Sequence, residues 1–144
     1  MIILDTNVIS EIFRPVPEPK VLHWVEAQNA DALFTTAITE AEIFCGIEFM
    51  PAGKRRSDLF SAAESYFKSD LVGRILNFDS AAAHSYADIA AIRKRKGLSV
   101  SAFDVQIAAI ARRFGAKLAT RNTSDFEECG IELINPWKWA GKAR

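Results

Sequence analysis

Histidine, cysteine and long apolar runs are all scarce in this chain, and each scarcity removes a class of chemistry. The two cysteines, Cys45 and Cys129, stand far apart and in no C-x-x-C pattern, which leaves neither a disulfide framework nor a thiolate zinc site. The expectation is a cytoplasmic protein with both thiols buried. The two histidines, His23 and His84, fall in predicted helices, and neither joins a Ser or Cys in a recognisable triad, so both read as surface or packing residues. No GxxxxGK(S/T) phosphate loop is present. No apolar run approaches the roughly 20 residues that cross a bilayer, and no basic segment precedes the first apolar run, so neither a membrane span nor a signal peptide is expected. Net charge is missing too: 18 Lys+Arg balance 18 Asp+Glu. Any affinity for nucleic acid must therefore come from local clusters.

What remains is an ordinary folded domain. In 144 residues, 49% are hydrophobic and 25% charged, the balance of one globular unit spanning 1–144. Its first stretch, Met1-Ile2-Ile3-Leu4-Asp5-Thr6-Asn7, is an unbroken apolar run that stops at a carboxylate. A strand buried on both faces of a parallel sheet needs no polar alternation and reads this way. Val8, Ile9, Ile12 and Phe13 follow at helical spacing. A strand that ends on Asp and turns into a helix sets that Asp at the carboxyl edge of the sheet, where open α/β sheets bind ligands. Asp5 reads equally well as the cap of the helix.

Further along, Pro19 opens a second helix whose apolar side is Val21, Leu22, Trp24 and Val25. Ala32 to Thr36 is β-prone, Ile38 to Phe49 helical, and Lys54 to Phe67 a charged helix. Arg74 to Phe78 reads as a third strand, with Asp79-Ser80 capping the next helix, which ends in Arg93-Lys94-Arg95-Lys96-Gly97. Ser101 to Phe114 is an Ala- and Ile-rich helix stopped by Gly115. Lys117 to Thr120 and Ile131 to Ile134 are the last strands. Strands alternating with helices specify an α/β domain with a mainly parallel sheet.

Four carboxylates fall at element boundaries: Asp5, Glu42, Asp104 and Asp125. Thr39-x-x-Glu42 and Ser101-x-x-Asp104 also match the capping box, which implies no chemistry. Asp104 shares a helix face with Ile107, Ala108 and Ala111, so it heads a stripe that should be buried, where an unpaired carboxylate is costly. Glu42 lies on a helix that is apolar nearly all round, and spacing does not separate it from Glu40. Asp125 follows the fourth strand in a loop rich in hydroxyl, amide and carboxylate oxygens.

Leu4-Asp5-Thr6-Asn7, Glu42 with Gly46, Ser101-Ala102-Phe103-Asp104 before Ile107-Ala108-Ala109, Ala119 to Phe126, and Asn135-Pro136-Trp137 together resemble the PIN-domain family, in its VapC and FitB type. The match runs the length of the chain. It implies a three-layer α/β/α sandwich whose five-stranded parallel sheet has the order 3-2-1-4-5. It also implies a metal-dependent endoribonuclease, the toxin of a toxin-antitoxin pair, with Asp5, Glu42, Asp104 and Asp125 as catalytic and metal-holding acids. Thr6, Asn7, Thr120 and Asn122 would support them. Some FitB-like members carry an acid where this chain has Asn122. A small DNA-binding antitoxin and a homodimer are implied by the resemblance alone.

The acids suit Mg²⁺ or Mn²⁺, hard cations that prefer oxygen. Of the basic clusters, Lys54-Arg55-Arg56, Arg93 to Lys96 and Arg112-Arg113 read as solvated helix faces. Arg121, between Thr120 and Asn122, is placed to meet a phosphate of an RNA substrate. Trp137 and Trp139 would pin the carboxyl-terminal tail. Two other readings share these features. An aspartyl-nucleophile phosphatase also begins with a strand ending in Asp, but typically has a second Asp where this chain has Asn7. A non-catalytic binding module would keep the fold without needing all four acids.

Overall fold

The computed structural model describes residues 1–141. Five strands form one sheet in the order β3-β2-β1-β4-β5. They are β1 (Ile2–Leu4), β2 (Leu33–Thr36), β3 (Ile75–Leu76), β4 (Lys117–Ala119) and β5 (Leu133–Ile134). Every pairing is parallel, as the alternation of strands and helices implied. Six α-helices connect them: α1 (Thr6–Ile12), α2 (Pro19–Ala27), α3 (Ala37–Glu48), α4 (Lys54–Ser65), α5 (Ser80–Arg95) and α6 (Ala102–Phe114).

The apolar run at the start is explained by two separate cores. Ile3 and Leu4 are both fully buried, yet they face opposite ways. Ile3 joins Ile89, Ile107, Ala108 and Ile110 of α5 and α6, whereas Leu4 joins Val8, Trp24, Ile43 and Ile47 of α1, α2 and α3. Leu118 and Ala119 of β4 divide between the same two cores. A strand covered on both sides gains from apolar residues at every position, roughly 1.5–3 kcal/mol for each large side chain fully buried. The result is the expected α/β/α sandwich.

Helix α6 follows its pattern closely. Val105 and the run Ile107 to Ala111 are buried, Arg112 and Arg113 are exposed, and Gly115 ends the helix at φ 63, the left-handed region open to glycine. Among the described residues, no helix is long and apolar enough to cross a membrane.

Several local expectations give way. Strand β3 is reduced to Ile75–Leu76, and the charged helix ends at Ser65, passing into a wider turn over Tyr66–Asp70. Thr39 does not open a capping box. The cap of α3 is Thr36, whose Oγ1 accepts from the Thr39 amide at 3.1 Å. That frees Glu42 for other contacts. Ser101 occupies the cap position of α6 without making a side-chain cap bond. Cys45 is exposed, because its helix turns Ala41, Cys45 and Glu48 outward, and only Cys129 is a buried thiol.

Arg93 departs furthest from its reading as part of a solvated face. It is 2% exposed, with Nε donating to the Ser99 carbonyl at 2.8 Å and Nη1 to that of Glu127. This one guanidinium ties the end of α5 to the loop entering α6 and to the loop leaving Asp125. Its signal was present in the sequence: Ala82, Tyr86, Ile89 and Arg93 recur at helical spacing, which puts Arg93 on the inward stripe.

Candidate active site

Strand order reverses between β1 and β4, so their carboxyl ends border a cleft, the usual ligand position of an open α/β sheet. The Asp5 amide continues the ladder by donating to the Ala119 carbonyl at 2.9 Å. Its carboxylate is 5% exposed. Oδ1 accepts from the Thr6 amide at 2.8 Å, so Asp5 does cap α1. Oδ2 accepts from Thr120 Oγ1 at 2.8 Å and from Asn7 Nδ2 at 3.3 Å. This one carboxylate makes the cap contact and also lines the cleft.

Thr120 is fully buried and central to this arrangement. Its Oγ1 accepts from Asn7 Nδ2 at 3.3 Å and from the Asn122 amide at 3.1 Å. Both lone pairs are thereby engaged, which aims the hydroxyl proton at Asp5. Asn7 closes the ring by accepting from the Arg121 amide at 3.2 Å. The second carboxylate of an aspartyl phosphatase is thus replaced by an amide brace.

Glu42 is chosen over Glu40 by contact: Thr6 Oγ1 donates to its Oε1 at 3.0 Å and lies 3.1 Å from Thr39 Oγ1. Asp5, Glu42 and Asp104 line one cavity of about 490 Å³ with Thr6, Asn7, Arg121 and Asn122. Asp125 does not line it. It sits half-buried in the turn Thr123–Phe126, its amide donating to the Asn122 carbonyl at 3.1 Å, and its charge acts on Asp104.

Electrostatics follow from burial and crowding. Burial pushes the Asp5 carboxyl up to about 6, against the hydrogen bonds from Thr120 and Thr6 and with the repulsion of Asp104 and Glu42. Glu42 is raised by burial and by Asp104, with the Thr6 bond opposing. Asp104 is raised by burial and by Asp125, with Ser101 and Arg93 opposing. Anions held together this way favour a cationic occupant. The donors are all oxygens, which suits a hard divalent ion. Among the described residues, no three acids converge into a ready-made ligand set for one ion. Water would complete the shell, as is usual for Mg²⁺.

Some cavity residues escaped the reading of the sequence. Glu11 and Arg14 line the pocket, as do Ser10 and Trp137. Glu11 is 5% exposed because it follows Val8 by one turn on the buried side of α1. Trp137 packs into the α1–α3 core, as a residue pinning the tail should, and also carries Arg121 over its ring at 5.2 Å. His23 and His84 sit on α2 and α5, outside the cavity.

With this geometry in hand, similarity to known proteins is informative. The PIN-domain family model matches residues 2–131. A protein of Sinorhizobium fredii named as a VapC ribonuclease is 46% identical over 138 residues, 96% of this chain and 99% of its own length. A Neisseria gonorrhoeae protein named Toxin FitB is 37% identical over 137 residues, covering 95% of this chain and 99% of that one. The solved structure of FitAB bound to an IR36 DNA fragment superposes with a TM-score of 0.92 at 36% identity, over 98% of this chain and 99% of that one. Family model, relatives and fold agree over nearly the whole length, and the chain belongs to the PIN-domain family.

Proposed function

We propose that this chain is a divalent-metal-dependent endoribonuclease acting as the toxin of a toxin-antitoxin pair. The observation that carries the reading is Asp5. It is buried at the sheet switch point, fixed by Thr120 and Thr6, and shares its cavity with Glu42 and Asp104. The names of the relatives, a VapC ribonuclease and Toxin FitB, support RNA as the substrate and growth inhibition as the outcome.

Asp5, Glu42 and Asp104 would hold Mg²⁺ or Mn²⁺, with Asp125 as the fourth acid behind Asp104. When bound, such an ion supplies a Lewis acid for a phosphate oxygen and a water of lowered pKa. The chain's own groups do the positioning. Thr120 and Asn7 orient Asp5, Thr6 orients Glu42, and Arg121, braced on Trp137, would face a phosphate of the RNA. Asn122 turns its amide inward to Thr120 and completes the rim. The partner would be a small DNA-binding antitoxin, a reading supported by the DNA-bound FitAB relative. The exposed Val100 and Phe103, beside Asp104 at the start of α6, give a homodimer an apolar surface. The setting would be the cytoplasm.

Growth tests the reading. Expression of the chain alone should arrest the host, and co-expression with the product of the small adjacent gene should restore growth. Normal growth with verified soluble protein would overturn the toxin role.

Asp104 is tested by melting. As a simple helix cap, Asp104→Asn would lose about 0.3–1 kcal/mol. As a member of a crowded acid set, the metal-free variant should melt at the same temperature or higher. Mg²⁺ should then stabilise the wild type by mass action, and the variant much less. A variant that melts lower and gains as much from Mg²⁺ would remove Asp104 from the site.

A further inference from the structure

Beyond Asp5, Glu42, Asp104 and Arg121, the cavity is lined by a second guanidinium with an unusual mount. Arg14 follows the end of α1, and its Nη1 donates to both oxygens of Glu11, at 3.3 and 3.1 Å. The two ends of this pair differ sharply: the Arg14 side chain is 64% exposed and that of Glu11 only 5%. Stability does not explain such a pair. An ion pair with so exposed an arginine is worth little, and an apolar residue would fill the Glu11 position at no desolvation cost. Glu11 is a fourth carboxylate lining a cavity that already holds Asp5, Glu42 and Asp104. What Glu11 does accomplish is to fix the Arg14 head group at the cavity rim. Pro15 helps by restricting the backbone of the residue before it.

The location of Arg14 gives the mount a purpose. It lines both the acid cavity and an adjoining cavity of about 350 Å³ that runs along α3 to Arg55 and Leu59 of α4. Arg121 lines only the first, on the side of β4 and Trp137. Arg14 therefore stands where a chain crossing the acids would pass toward α3 and α4, and Arg121 where it would pass toward β4.

We propose that Arg14, held by buried Glu11, is a second phosphate contact for the RNA strand, on the α3–α4 side of the acid cavity. This rests on the ribonuclease reading above. The two cations would bracket the acids and set the path of the strand through them.

The test measures binding of a short labelled single-stranded RNA against salt, in the Asp5→Asn background so that nothing is cleaved. Arg14→Gln should reduce the log–log salt slope by about 0.7, one single-strand phosphate contact. Arg14→Lys should keep the slope. The double variant Glu11→Gln/Arg14→Gln leaves the net charge of the cavity as it was and should lose the same 0.7. A wild-type slope in Arg14→Gln would overturn the proposal while leaving the ribonuclease reading intact. So would a slope restored in the double variant, which would mean that only net charge matters. Failure of the Asp5→Asn protein to bind RNA at any salt would overturn both.

Discussion

Asp5→Asn should abolish RNA cleavage and leave the fold in place. The substitution keeps the shape of the side chain and the oxygen that accepts from the Thr6 amide at 2.8 Å. It changes the other atom from an acceptor into a donor. That donor meets the Thr120 hydroxyl and the Asn7 amide, both of which donate to Asp5 in the native protein. Thr120 has no free lone pair with which to receive it, so both bonds to that atom are lost, the buried one from Thr120 costing about 1–3 kcal/mol. A domain of this size tolerates such a loss, and the circular dichroism spectrum should be unchanged. Activity is another matter. Losing the carboxylate nearest the reversal of strand order removes several kcal/mol of charge stabilisation, a rate loss of at least about a thousandfold. Wild-type protein in excess EDTA should be equally inert. Cleavage that persists in EDTA would rule out the metal mechanism, and a variant that still cuts well would rule out Asp5.

The same carboxylate should make the metal-free protein less stable as pH rises, against the trend of most acidic groups. Its folded value is about 6, above the usual 3.8. The folded protein thus binds its proton more tightly than the unfolded chain does. The stabilisation is fully present below about pH 4, declines as pH rises through 6, and is gone above it. Over that window the Asp5 contribution is about 2–3 kcal/mol. Other groups titrate in the same range, so the informative quantity is the difference from Asp5→Asn. Urea midpoints in EDTA should show the wild type losing ground to the variant between pH 4 and pH 7. A constant difference across that range would mean that Asp5 is ionised throughout. Mg²⁺ at pH 7 should recover stability in the wild type alone, since an ion that binds only the folded state stabilises it.

Much of this site was legible from residue order because the physics behind it is local. A strand buried on both faces writes itself as an uninterrupted apolar run, and the sheet edge follows from where that run stops. Asp5 was visible for that reason, and Asp104 because it heads the inward stripe of α6. Glu42 was not separable from Glu40 by spacing, since what selects it is a hydroxyl 36 residues away, on Thr6. Asp125 was readable as a boundary acid, but its place behind Asp104, away from the cavity wall, depends on a short turn that leaves no periodic trace. Arg93 reads as solvated because it opens a basic run, and the other three members of that run are exposed. The stripe running back through Ile89 outweighs that context. Glu11 was overlooked for the opposite reason, a charge on an apolar face that composition alone takes to be outward.

The bond between Thr120 and Asp5 joins residues 115 positions apart. Strand β1 lies in the middle of the sheet, yet one of its two neighbours is β4, nearly the whole chain away. Closing so long a loop is entropically costly and slow compared with local contacts. A nascent chain that has not reached Thr120 can pair β1 with β2, but Asp5 then lacks the hydroxyl that aligns it. The acids cannot share a cavity until α6 and β4 have been made and have docked on β1. Any activity that depends on Asp5 should therefore appear only after this long-range closure, later than the local pairing of β1 with β2.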